Sequence, residues 1–211
     1  MLFHASLADT GADGRWSIGI GDPTPIGWLT VVGYGLAACF AFGACRRARR
    51  EASGLRDGDA ARAGNERRMV GLWLIACVVM ALLGVNKQLD LQSLMTQSLR
   101  DLARSQGWYE NRREYQQAFI AVVAIAAVVS VCVTVLALRP VLHRAWLTVF
   151  GLTWIVTFVL IRAASFHHVD RFLRGGNVRW NWVLELGGIA MVGVAGYRAA
   201  RERPAPNRRD V

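Results

Sequence analysis

Five apolar runs, separated by polar or charged residues, form the main pattern along this chain. They cover about residues 26–45, 69–85, 118–138, 145–161 and 182–197. A helix needs about 20 mostly apolar residues to cross about 30 Å of hydrocarbon, and the second, fourth and fifth runs are slightly shorter. The pattern therefore predicts an all-α, polytopic transmembrane helical bundle of about five spans. One bundle accounts for most of the 211 residues, so we expect a single integral-membrane domain.

The segment between the second and third runs, residues 86–117, is polar but keeps a helical spacing. We expect the second helix to continue to about Ser105 and to end at Gly107, before a returning helix. The pattern predicts an extracytosolic helical hairpin whose apolar face is covered by lipid, by another part of the chain or by a partner protein. Five positions define that face: Leu91, Leu94, Met95, Ser98 and Leu102.

Arginine clusters between the apolar runs set the expected orientation. Eight arginines fall within residues 46–68 and five within the tail from residue 198, while Arg139 and Arg144 lie between the third and fourth runs. With five spans these segments share one side, which the excess of positive charge in short loops assigns to the cytosol. We therefore expect the N-terminus outside and the C-terminus inside. The cytosolic loop 46–68 would be mobile or weakly helical, and the basic tail 199–211 disordered.

Charge also limits the partners. Attraction to anionic headgroups explains the basic loop 46–68, and the arginines lack the interleaved aromatic residues of a base-stacking surface. Nucleic acid is therefore not an expected partner. One lysine among 25 basic residues is typical of a GC-rich genome, so we expect a bacterial inner (plasma) membrane. The expected partners are the lipid bilayer and another membrane or extracytosolic protein.

Two polar clusters lie at the ends of apolar runs on the predicted outer side. One surrounds Lys87, the only lysine. A desolvated lysine can lose its proton and act as a base, whereas arginine cannot; alternatively, Lys87 extends to the headgroups or pairs with Asp90. The whole candidate site, from both clusters, consists of Asn86, Lys87, Asp90, Arg162, Ser165, His167, His168, Asp170 and Glu185.

Glu185 lies about one turn inside the last apolar run. An acid at the centre of a membrane helix costs about 2.5–3.5 kcal/mol on insertion scales and less near the interface, so it normally faces the bundle and finds a partner. Arg162, at the end of the preceding run, is the first candidate for that partner, and Lys87 is the second.

The two adjacent histidines are weak candidates for a metal site. His167 and His168 would point about 100° apart on a helix, which does not suit chelation of one ion, although either could act with Asp170. No cofactor is predicted, and a divalent metal is kept only as a weak alternative. None of the four cysteines belongs to a CxxC pair, so Cys39, Cys45, Cys77 and Cys132 are expected to be packing residues.

Three functions were weighed from these features. The favoured one is binding or assembly, with an outward-facing polar site at headgroup level that meets a partner protein or lipid. A transporter is least favoured, because the spans lack ionisable groups at mid-bilayer depth. The alternative is a membrane-embedded hydrolase-type or metal-dependent enzyme, whose acid–base or ligand residues would be Lys87, Asp90, His167, His168 and Glu185, with Lys87, Asp90 and Glu185 as the catalytic candidates.

Overall fold

The structure is a computed structural model. It describes residues 24–55, 59–89, 98, 105, 112–163 and 180–202. Within the helices, the backbone alone is described at residues 112–117, 119–120, 123, 161–163 and 180–181. All regular structure in the described ranges is helical, in agreement with the predicted all-α class. The elements are α1 (Pro25–Gly54), α2 (Ala60–Leu89), α3 (Arg112–Leu138), a 3₁₀ turn (Arg139–Val141), α4 (Leu142–Ala163) and α5 (Trp180–Arg201).

Four helical segments in the described part of the chain are long and apolar enough to cross a membrane. They are Pro25–Gly54, Ala60–Leu89, Ala124–Leu160 and Trp182–Arg201. The third contains most of α3, the 3₁₀ turn and most of α4, which the sequence had separated into two spans. A membrane-compatible helical protein is thus confirmed, while the count of five crossings stays a prediction.

Helix α1 begins where the sequence places a cap. The Thr24 Oγ1 atom accepts a hydrogen bond of 3.1 Å from the Gly27 amide, and Pro25 occupies the first helical turn. The hydroxyl satisfies an amide that has no partner within the helix, and proline supplies a suitable fixed φ. Thr24 and Pro25 together therefore set the start of α1.

The connector 46–68 is more ordered than its composition suggests. Helix α1 continues to Gly54 and α2 already starts at Ala60, so most of this segment is helical. Arg47 and Glu51 form an i,i+4 ion pair on α1, and Ala48 is buried against the bundle. Packing between the two helices therefore extends α1 and α2 well beyond the predicted spans.

Helix α1 packs on both α2 and α5, while α5 also packs on α4. The buried face of α1 carries Ala37, Ala41 and Ala44, which let the neighbouring helices come close. At Gly196 of α5, an added Cβ would lie 3.0 Å from the Ala41 backbone nitrogen. Small residues therefore allow close helix packing at this contact, whereas Gly187 has no such neighbour within 4 Å.

Helix α3 packs least against the rest of the bundle. Its described contacts are mainly with α4 and the 3₁₀ turn. Apolar side chains are exposed around most of its surface, which suits a helix surrounded by hydrocarbon. Those more than half exposed are Val122, Ile125, Val128, Val129, Val133 and Leu136.

The predicted outer hairpin lies mostly outside the described residues. Helix α2 ends at Leu89 and α3 begins at Arg112; between them Ser98 and Ser105 alone are described, both in helical conformation. The hairpin therefore stays a prediction. At the other end, α5 runs to Arg201, so the first residues of the predicted disordered tail are helical, and 203–211 lies outside the described part.

Candidate functional site

Three helices bring one charged cluster together. The Lys87 Nζ atom of α2 lies 3.0 Å from Glu185 Oε2 of α5, and the Tyr34 hydroxyl of α1 donates to Glu185 Oε1 at 3.2 Å. The side chains of Lys87 and Glu185 are only 11% and 6% exposed, and Tyr34 is buried. We call Tyr34, Lys87 and Glu185 the Lys87 cluster. Both carboxylate oxygens have a donor, so the buried charge of Glu185 is compensated.

Local sequence explains how these side chains meet. Gly84 lies one turn before Lys87, and a Cβ at this glycine would come within 3.1 Å of the Tyr34 Cβ. The missing side chain lets α2 approach α1 and leaves room for the tyrosine ring. On the far side of the site, Trp154 Nε1 of α4 donates to the Leu184 carbonyl at 3.0 Å, which fixes α5 beside Glu185.

The expected partner of Glu185 is present, but it is the second candidate. Lys87 forms the ion pair, while the side chain of Arg162 lies outside the described residues. Tyr34 was missed by sequence reasoning. Its only signal is a phenol within an apolar span, since a buried tyrosine hydroxyl normally has a hydrogen-bond partner.

The other candidate residues are placed less completely. Asn86 is half-buried on α2. Five residues of the predicted site fall in segments that the structure does not describe: Asp90, Ser165, His167, His168 and Asp170. Of the two polar segments predicted to meet, the structure thus brings together Lys87 and Glu185.

The geometry favours a structural use of Lys87. For Lys87 to act as a base, its ammonium would first have to leave the Glu185 carboxylate, and that would leave a buried carboxylate without its counter-charge. The cluster instead links α1, α2 and α5 at one end of the bundle. Among the described residues no group of three or more His, Cys, Asp or Glu side chains could hold a metal ion.

A second charged cluster lies at the other end of the same helices. Arg144 Nη1 lies 2.7 Å from Glu66 Oε1, and Arg47 Nη1 lies 3.1 Å from Glu202 Oε2. Arg47 also pairs with Glu51 and donates to the Ala199 carbonyl. We call Arg47, Glu51, Glu66, Arg144 and Glu202 the Arg144 cluster. Sequence reasoning missed it, because Glu66 lies in a segment interpreted as a basic loop.

The two clusters are separated by about one membrane thickness. Glu66 and Lys87 lie 21 residues apart on α2, which corresponds to about 30 Å along the helix. The hydrocarbon core of a bilayer is also about 30 Å thick. The two charged clusters are therefore spaced to lie at the two headgroup levels, with the alanine-rich core between them.

Comparison with known protein families, with curated protein sequences and with solved structures found no match. The class of the protein therefore rests on its own helices, which are those of a multi-pass integral membrane protein.

Proposed function

We propose that this chain is a binding or assembly protein of a bacterial inner membrane, whose outward-facing rim holds a partner protein or lipid. The observation that supports this proposal is the buried ion pair between Lys87 and Glu185. Helix α2 ends at Leu89, two residues after Lys87, and α5 begins at Trp180, five residues before Glu185. The pair therefore holds together the two helix ends from which the proposed outer segments continue.

The catalytic alternative has weaker support. Both proposals need Lys87 and Glu185 to lie close together, as they do. Catalysis further requires Lys87 to act as a base without its ion-pair partner. A binding role needs no such rearrangement, because the ion pair then acts by holding the helix ends in place. We therefore propose binding rather than catalysis, with the site at headgroup level.

Five crossings are supported by the groove between α2, α3 and α4. Ala127 and Val156 both line this groove, although 29 residues separate them. In one continuous helix they would lie about 43 Å apart. The 3₁₀ turn Arg139–Val141 therefore supports an antiparallel pair in which α3 and α4 each cross the membrane. With the arginine-rich segments 46–68 and 198–211 in the cytosol, the N-terminus is outside and the C-terminus inside.

Cysteine labelling tests this topology. In a background with all four cysteines replaced by alanine, Ser98→Cys should react with an impermeant maleimide in intact cells, whereas Ser53→Cys and Arg139→Cys should react only after lysis. Ser53 and Arg139 are exposed, so access to either thiol depends on the membrane alone. If α3 and α4 formed one crossing, Arg139→Cys would lie in lipid and stay unlabelled. Labelling of Ser53→Cys in intact cells would reverse the orientation.

Photo-crosslinking tests the binding role. A photoreactive phenylalanine analogue at Ser98 should give a discrete adduct with a protein or phospholipid in native membranes, since this exposed position lies in the outer segment. The same analogue at Val128, which is 63% exposed on the apolar surface of α3, is the matched control and should react with bulk lipid. Recovery of unmodified monomer alone at Ser98 would contradict a binding role.

A further inference from the structure

The Arg144 cluster surrounds a cavity of about 320 Å³. It lies between the ends of α1, α2 and α5 and the turn before α4. Its walls carry three guanidinium groups and three carboxylates, so their formal charges cancel; they belong to Arg47, Arg62, Arg144, Glu51, Glu66 and Glu202. The volume is at the lower end of the range of about 300–1,000 Å³ that is typical of small-molecule sites.

Two buried atoms in this wall lack a hydrogen-bond partner. Glu66 is 4% exposed, and its Oε1 atom binds Arg144 while Oε2 has no donor. Arg47 uses both Nη atoms in hydrogen bonds, but its buried Nε has no acceptor. Folded proteins satisfy most buried polar groups, so a bound ligand that supplies one donor and one acceptor would complete the hydrogen bonding of this wall.

We propose that this cavity binds a small zwitterion that joins a primary ammonium to a phosphate, as in the ethanolamine phospholipid headgroup. In the structure both atoms are buried. On binding, rotation of the two side chains toward the cavity lets the ammonium donate to Glu66 Oε2 and a phosphate oxygen accept from Arg47 Nε. A simple anion would leave the glutamate unmatched, and a simple cation would leave the arginine unmatched. A zwitterion also adds no net charge to a wall whose charges already cancel.

The position of the cavity favours a lipid as the source. It lies about 30 Å along α2 from the Lys87 cluster, at the headgroup level expected for the cytosolic face. The chemistry also predicts selectivity. A choline headgroup has no N–H to donate to Glu66 Oε2, and a glycerol headgroup has no ammonium. Both should therefore bind less well than ethanolamine. This site is separate from the outer rim, so its test does not depend on the proposed function.

The experiment uses the purified chain in detergent, titrated with short-chain phosphatidylethanolamine, phosphatidylcholine and phosphatidylglycerol of equal chain length, and with soluble glycerophosphoethanolamine, a phosphodiester that keeps the headgroup without net charge. Thermal stabilisation and native mass spectrometry report binding. We expect the ethanolamine lipid to bind about tenfold more tightly than the other two, the difference that one charge-assisted hydrogen bond provides. If the soluble compound bound as tightly as the ethanolamine lipid, the site would be supported and its ligand would be a soluble molecule. Equal binding of all three lipids would overturn the proposal.

Two variants separate ligand recognition from folding. Glu66→Gln should abolish the preference for ethanolamine over choline, because the carboxylate charge that attracts the ammonium is removed. Arg47→Lys keeps the positive charge but removes Nε–H, and should weaken binding of all phosphate-bearing lipids while the chain stays folded. Arg50→Lys, at an exposed position of α1 outside the cavity, is the matched control and should leave the selectivity unchanged. A preference that persists in Glu66→Gln, or an unchanged affinity for all three lipids in Arg47→Lys, would overturn the proposal.

Discussion

Replacing Lys87 with methionine is expected to destabilise the bundle by about 3–5 kcal/mol, the usual effect of removing one partner of a buried ion pair. The substitution keeps a flexible apolar side chain of similar length but leaves the Glu185 carboxylate, only 6% exposed, without its counter-charge. The remaining hydrogen bond from Tyr34 cannot supply that charge. For a chain of this size, the midpoint of thermal unfolding in detergent should fall by on the order of 10 °C.

A double variant shows whether the loss comes from the unpaired charge. Lys87→Met with Glu185→Leu replaces the ion pair by an apolar contact, which is often neutral or stabilising in buried sites. The double variant should therefore be more stable than Lys87→Met alone. Arg67→Met, at an exposed position of the same helix, is the control and should have little effect. If the double variant were as unstable as the sum of the two single changes, the ion pair would not couple α2 to α5.

The sequence alone predicted the apolar helices, and it predicted that the carboxylate of Glu185 needs a charged partner. It was not sufficient to choose between Arg162 and Lys87, because that choice depends on which helices are neighbours. The length of an apolar run and the charges at its ends can be read from the sequence. A helix that is apolar on all faces does not show which neighbouring helix it packs against. In the structure α1 touches both α2 and α5, and this arrangement brings Lys87 to Glu185.

The Arg144 cluster was missed for a different physical reason. Arginines near a membrane surface have a general explanation in the positive-inside rule, so Glu66 and its neighbours were interpreted as parts of a solvated loop. The structure instead continues α1 and α2 through this segment, and Glu66 becomes 96% buried. Within the segment, Glu51 lies four residues after Arg47, a spacing that favours a helix. This spacing was a sequence feature that indicated a helix within residues 46–68.

Replacing Arg144 should be more damaging than replacing Glu66, although the two form one ion pair. Arg144→Met leaves Glu66 buried and charged, and the second carboxylate oxygen of Glu66 already lacks a donor. Glu66→Gln instead leaves Arg144, whose side chain is 34% exposed and can extend to the headgroups. We expect a loss of about 3 kcal/mol for Arg144→Met, at the lower end for buried pairs because of that exposure, and about 1 kcal/mol for Glu66→Gln. Thermal unfolding of both variants in the same detergent measures the difference, with Arg144→Lys as the charge-preserving control. If both variants lost the same stability, the carboxylate of Glu66 would reach water when Arg144 is removed. Glu66 would then not be held in a buried environment.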